Sequence, residues 1–261
     1  MAADFRRDGV RFSLVWDVLR AVASARVAET GRQALDIVDV GGGTGGLAVP
    51  FAALGHNVTV VDPSPDALAA AQRRAAEAGA RLASVQGDAA SLDSVVGTAA
   101  ADLVICHNVL EYVDSPADAM SAIALVLRPS ATVSVLASNT VAAVLHRALA
   151  GRFAEARKLL ASSVPAAGDA GRGAGVITVG SDVPVGAPRR FTLPELTGLI
   201  EDAGLRVGEV HGLRIFGGLV PGVLLDGDAA ATEALRALEQ AAASIPPLRD
   251  IAAQLHLLGH R

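Results

Sequence analysis

One cysteine, Cys106, stands in 261 residues. No intrachain disulfide is therefore possible, which fits a reducing compartment. A buried Cys106 reads as a small hydrophobe and not as a nucleophile. No secretory signal is expected: Asp4, Arg6, Arg7 and Asp8 occupy the place where one would begin its hydrophobic run. No stretch reads as a membrane span. The uncharged run from Pro129 to Leu145 is broken by Ser134, Ser138, Asn139 and Thr140 and suits a buried strand followed by a polar loop. There is no internal repeat, and His107, His146 and His256 have no metal-ligand spacing among them, so no metal is expected. These absences point to a globular cytoplasmic protein with no membrane partner.

Positive charge is scarce overall. The formal net charge is −5, which argues against a general nucleic-acid coat. Between Val141 and Arg190, however, seven bases (Arg147, Arg152, Arg157, Lys158, Arg172, Arg189, Arg190) face three acids. That segment is +4 and the remainder −9. It is either a solvated face or the footprint of an anionic partner.

What is present is a hydrophobic chain, 51% apolar, with a strict alternation of short apolar runs and helical segments. A leading helix is expected from Phe12 to about Glu29. Strands follow at 34–40, 57–62, 81–88, 101–108 and 132–138. Between them, Ser64 with Pro65 and Ser115 with Pro116 open helices, and Pro129 is expected to stop the second of these. Such spacing implies right-handed crossovers and a parallel sheet covered on both faces. After the fifth strand the rhythm breaks. Residues 141–160 read as helical and 161–188 as a Gly-, Ala-, Ser- and Pro-rich loop or lid. A capping box, Thr192 with Glu195, restarts a helix that ends at Gly204. A strand within 205–216, a helix over 230–243 and "QLHLLGH" (254–260) complete the chain. The expectation is one domain, 1–261, with 141–190 as an inserted substrate cap.

The stretch "DVGGGTGG" (39–46) closes the first strand. Gly41, Gly43 and Gly46 satisfy the dinucleotide spacing, and Asp62 could hold a ribose. A nicotinamide-dependent oxidoreductase is thus one reading. Asp39 favours another. A carboxylate two residues ahead of the glycines would face the two negative charges of a pyrophosphate. It suits a cofactor with an ammonium group and no phosphate, and S-adenosylmethionine has that ammonium and a positive sulfonium.

"DVGGGTGG", Asp62, "GDAASL" (87–92), "DLVICHNVLEYV" (102–113) and "VLRPSATV" (126–133) resemble the ordered motifs of class I S-adenosylmethionine-dependent methyltransferases. The resemblance implies a Rossmann-like, doubly wound α/β sheet of seven strands whose last strand is antiparallel. A nearer resemblance is to the bacterial tRNA 5-carboxymethoxyuridine methyltransferase family. It implies cofactor contacts at Arg11, Gly41, Gly42, Asp62, Asp88, Ala89, Ala90 and His107; Asp39, Gly43 and Pro63 complete the expected cofactor site. It places Asn139, His146 and the "GLRIF" run (212–216) on matching positions. Two departures bear on RNA. Ala137-Ser138 replaces an aromatic pair, and the basic run shrinks to Arg189-Arg190, which weakens base stacking and phosphate contact.

A carboxylate acceptor needs no general base, because it is ionised at pH 7. The site has to hold the reacting atoms in line and exclude water. Arg214 is the first candidate to orient such a carboxylate by a bidentate fork, and Arg190 the second. Tyr112, Asn139 and His146 complete the expected substrate side, and no catalytic residue is assigned. The expected acceptor is anionic, with a tRNA anticodon loop as its sharpest form. A small-molecule O- or N-methyltransferase of secondary metabolism is the alternative.

Overall fold

In the computed structural model the described residues are 2–163, 188–220 and 229–261, with side chains described from Leu14 onward and not for 162–163. Strands β1 (Asp36–Val40), β2 (Asn57–Asp62), β3 (Ala83–Gln86), β4 (Ala101–His107), β5 (Leu127–Ser138), β6 (Arg206–Leu213) and β7 (Gln254–His260) form one sheet. Its order is β3-β2-β1-β4-β5-β7-β6. The first five strands run parallel, and β7 is antiparallel to both β5 and β6. Strand order reverses between β1 and β4, so a crevice opens over their C-terminal ends, the usual place for a ligand in such sheets.

The helices are α1 (Ala2–Thr30), α2 (Ala48–Ala53), α3 (Pro65–Glu77), α4 (Leu92–Val96), α5 (Pro116–Val126), α6 (Thr140–Leu149), α7 (Phe153–Ser163), α8 (Leu193–Asp202), α9 (Ala229–Ala242) and α10 (Pro246–Arg249). The expected caps are made: Ser64 accepts from Ala67 N–H, Ser115 from Asp118 N–H, and Thr192 and Glu195 close a reciprocal box. No described helix is long and apolar enough to cross a membrane.

Alternate residues of the central strands face opposite layers. Val38, Val40, Val104 and Cys106 pack with Met120 and Ile123 of α5 and with Leu196 and Ile200 of α8. Ile37, Leu103, Ile105 and Leu136 pack with Val15 and Leu19 of α1, together with Phe51. Each such fully buried aliphatic contributes about 1.5–3 kcal/mol. Trp16 stacks obliquely on Phe51 with ring centroids 4.8 Å apart, fixing α1 against α2.

The N-terminal edge of the sheet is closed by charge. The Asp102 carboxylate, only 1% exposed, receives Arg32 Nη1 at 2.6 Å, Arg128 Nη1 at 2.8 Å and Arg26 Nε at 3.4 Å. The backbone N–H of Asp36 donates to it as well, at 3.0 Å. Three arginines from α1, the α1–β1 turn and β5 are thereby tied to β4.

Two expectations need correction. Pro129 does not end α5: the helix stops at Val126, and Leu127 is already extended and paired with Ala101. The register slips before Leu103, and Ser130 takes a left-handed φ of 61°, so Pro129 sits in a bulge at the start of a longer strand. The leading helix is also longer than the expected Phe12 start, and begins at Ala2. The expected lid lies mostly at 164–187, outside the described residues.

Candidate active site

Asp39, the residue before the end of β1, lies on the same face as Ile37, with its carboxyl packed against Gly42 of the glycine turn. Its carboxyl is enclosed, and burial pushes it up to about 7; the Ala48 N–H opposes that shift and the charge of Asp62 adds to it. Asp62 lies one strand away and accepts from Gly43 N–H at 3.0 Å through Oδ2 and from Ser64 N–H at 2.9 Å through Oδ1. A carboxylate has about four lone-pair positions, so Asp62 keeps capacity for two ribose hydroxyls. Two acids converge here without an arginine or lysine bridging them in any described ion pair. Such a pair suits a cationic ligand and repels a pyrophosphate.

The turn itself separates the two cofactor readings. In the dinucleotide spacing the third glycine is needed for close helix packing. A Cβ added to Gly46 would meet nothing within 4 Å. Gly45 is the constrained position: its φ is +79°, and a Cβ would lie 3.0 Å from Val49 and 3.2 Å from Ala71. The glycines thus satisfy the letters of the dinucleotide pattern but not its packing.

Around this turn, the Pro63 carbonyl accepts from Gln86 Nε2. Asp88 uses Oδ1 to cap the short 3₁₀ turn of Ala89 and Ala90, accepting from Ala90 N–H and Ser91 N–H. Arg11 lies within α1, but its side chain is outside the described ones.

The rim is built from strand ends that the register aligns. Ser138 of β5 faces Gln254 of β7, which faces Leu213 of β6. Gln254 Nε2 in turn donates to Asn108 Oδ1 at 2.6 Å, beyond the end of β4. Arg214, the residue after Leu213, therefore sits on the same edge as Asp39 and His107. It holds a left-handed φ of 58°, which costs a non-glycine residue about 1–3 kcal/mol and is concentrated at functional sites. Glu239 of α9 supports that conformation. Its buried carboxylate accepts from the N–H groups of Ile215, Phe216 and Gly217 at 2.8, 2.8 and 2.7 Å. His146 of α6 reaches the same loop, for a Cβ on Gly218 would lie 2.8 Å from its Nε2. Burial, then Arg214 and Arg147, lower the His146 pKa.

Other expected substrate residues are placed differently. Asn139 is buried and fully engaged: Nδ2 donates to the carbonyls of Asp250 and Ala252, and Oδ1 accepts from Val141 N–H as the cap of α6. Its side chain joins β5 to the entry of β7. Tyr112 is 72% exposed on the β4–α5 loop. Arg190 lies half-buried in a segment that runs along the end of β5, where Phe191 N–H donates to the Ser138 carbonyl. Its neighbour Arg189 ties that loop down. Its backbone N–H donates to the Glu111 carbonyl, and its guanidinium to the carbonyls of Val113 and Asp114. His107 is bonded through Nε2 to Ser134 Oγ at 2.7 Å.

Sequence reasoning gave Glu111 no assigned role. Its buried carboxylate accepts from Ser138 N–H at 2.9 Å through Oε1, while Oε2 is buried with no partner among the described residues. Glu239 was missed altogether. An acid within an exposed-looking helix gives no sequence signal that three amides of a distant loop converge on it.

The sheet order is that of a Rossmann-like α/β fold, and the acidic pair and glycine turn agree with the resemblance to class I S-adenosylmethionine-dependent methyltransferases. Residues 37–130 match the family described as "Methyltransferase domain". The chain is similar to the tRNA 5-carboxymethoxyuridine methyltransferase of Escherichia coli K12, 32% identical over 150 residues, 55% of this chain and 54% of that protein. It is also similar to the ubiquinone biosynthesis O-methyltransferase of Methylobacterium nodulans, 31% identical over 191 residues, 69% of this chain and 64% of that protein. The chain thus spans about half to two thirds of the length of these curated relatives. Among solved structures, the magnesium protoporphyrin IX methyltransferase of Synechocystis PCC 6803 with bound S-adenosylhomocysteine shares the fold. Its TM-score is 0.54 at 15% identity, over 93% of this chain and 82% of that one.

Proposed function

We propose that the protein methylates an anionic, carboxylate-bearing acceptor held at the rim by Arg214 and His146. The observation that carries this reading is the left-handed Arg214, braced by Glu239 beside His146 at the C-terminal edge of the sheet. S-adenosylmethionine, when bound, supplies an electrophilic methyl group on a sulfonium. Asp39 and Asp62 suit its ammonium and ribose, and the glycine turn lets backbone approach closely. Arg214 orients the acceptor carboxylate with one oxygen left unpaired. No proton has to be removed, since the acceptor is already ionised.

In its sharpest form the acceptor is the carboxylate of 5-carboxymethoxyuridine in tRNA, a reading supported by the name of the Escherichia coli relative. Protein and S-adenosylmethionine incubated with tRNA from a strain lacking the methyl ester, followed by nucleoside mass spectrometry, test it directly. Appearance of the methyl ester is expected. Its absence, with methylation of a small acid instead, would reject the RNA form.

A second reading has its own observation. The buried Glu111 Oε2, without a partner among the described residues, suits an acceptor that must lose a proton, such as a phenol or an amine. Glu111→Gln separates the two: methylation of a carboxylate would persist, whereas methylation of a hydroxyl or amine would fall by about 100-fold or more.

A further inference from the structure

A chain of polar side chains crosses the buried sheet behind the rim. Ser134 Oγ of β5 lies 2.7 Å from His107 Nε2 of β4 and 2.7 Å from His256 Nε2 of β7. The two rings meet edge to face with centroids 5.7 Å apart. One hydroxyl carries one proton, so Ser134 donates to one ring and accepts from the other.

Which way the chain runs follows from its buried end. His256 is fully enclosed, and burial, with His107 and His211 nearby, drives its pKa well below the ordinary value, so its ring is neutral and carries one proton. Its Nδ1 is buried with no partner among the described residues. His211 stacks on the same ring at 5.5 Å without bonding to it. A buried N–H with no acceptor is the rarer and costlier orphan, compared with a buried lone pair. The His256 proton therefore belongs on Nε2, where it donates to Ser134. Ser134 then donates to His107 Nε2, and the His107 proton is left on Nδ1.

We propose that Ser134 and His256 are positioning residues that hold His107 as its Nδ1–H tautomer, so that at the end of β4 the ring acts as a hydrogen-bond donor and not as a base. A proton arriving at His107 Nε2 would reverse both hydrogen bonds and bury an unpaired His256 Nδ1–H. This deepens the methyl-transfer reading and rests on it for its meaning: a ring held with its proton on Nδ1 and its Nε2 engaged by Ser134 has no nitrogen lone pair left to take a proton from an acceptor. If a base is required, Glu111 and not His107 supplies it.

The test uses the full chain labelled with ¹⁵N-histidine, whose long-range proton–nitrogen correlations report the state of each ring nitrogen. His107 protonated on Nδ1 and His256 on Nε2 are expected in the free protein. Ser134→Ala should spread His107 over both tautomers, while His256→Gln, whose amide N–H can still donate to Ser134, should keep it on Nδ1. His107 protonated on Nε2 in the unaltered protein would overturn the proposal, whether or not the variants fold. So would a Ser134→Ala protein that folds with His107 still wholly on Nδ1. Titrating the same sample with S-adenosylhomocysteine tests the methyl-transfer reading separately, because a failure to bind there leaves the tautomer result standing.

Discussion

Gly42 and the Asp39 carboxylate are packed so closely that a Cβ on Gly42 would lie 2.6 Å from Asp39 Cγ and 2.7 Å from Oδ2. Gly42→Ala must therefore displace the acid that faces the crevice. Overpacking of this kind costs about 1–3 kcal/mol. The expected outcome is a lowered melting temperature together with a weakened calorimetric affinity for S-adenosylhomocysteine. Gly46→Ala, with open space around it, should leave both nearly unchanged.

Asp39 also makes a pH prediction whose sign is fixed by burial. Its folded pKa of about 7 lies above the ordinary 3.8. Between those values the folded chain keeps a proton that the unfolded chain has released. Stability of the ligand-free protein from this group is thus greatest below pH 4 and falls as pH rises toward 7. Binding a cationic cofactor runs the other way, because it requires the ionised acid, so affinity should rise from pH 6 to pH 8. Asp39→Asn should flatten both profiles, as read by thermal melts and titration calorimetry.

Arg189 and Arg190 should part company. Arg189→Ala removes donors from the Val113 and Asp114 carbonyls and should loosen the β4–α5 loop, costing about 1–3 kcal/mol. Arg190→Ala should leave stability within about 0.5 kcal/mol, the usual range for sites without such ties. If tRNA is the acceptor, Arg190→Ala should also flatten the salt dependence of filter binding by about one unit.

Asp102→Asn should be among the most destabilising single changes, since it leaves Arg26, Arg32 and Arg128 around a neutral group. Breaking a buried pair costs about 3–5 kcal/mol. The defect is at the far edge of the sheet, so the folded fraction should still bind S-adenosylhomocysteine with unaltered affinity. Denaturant melts and calorimetry on the same preparation check both halves.

Strand positions and caps were legible because they depend on neighbours in sequence. The run 57–62 is a strand from its first residue to its last, and the Thr192–Glu195 box lies where its two letters put it. The places of Asp39 and Asp62 at the C-terminal ends of their strands were legible for the same reason, since each strand abuts a turn. Side-chain partners that lie far along the chain were not legible. Asn139 looked like a substrate group, yet its partners are carbonyls 111 and 113 residues away. Ser134 carried no signal, since its two histidines are 27 and 122 positions distant. Arg189 read as a surface cation, but its loop closes on carbonyls 75 and 76 residues earlier. Local patterns report which face a residue occupies; they do not report who meets it there.

The loop after Arg214 holds three amide N–H groups that converge on a single carboxylate, that of Glu239. Successive amides of this kind are a ready cradle for an external oxyanion such as phosphate or sulfate. Here the cradle is filled from within the chain by a negative group. Inorganic phosphate should consequently be a poor competitor at this rim. Among the described residues of this rim, an acid held as proposed would meet the neighbouring guanidinium and imidazole, so discrimination among acids would fall to the reach and angle of two side chains and not to main-chain geometry.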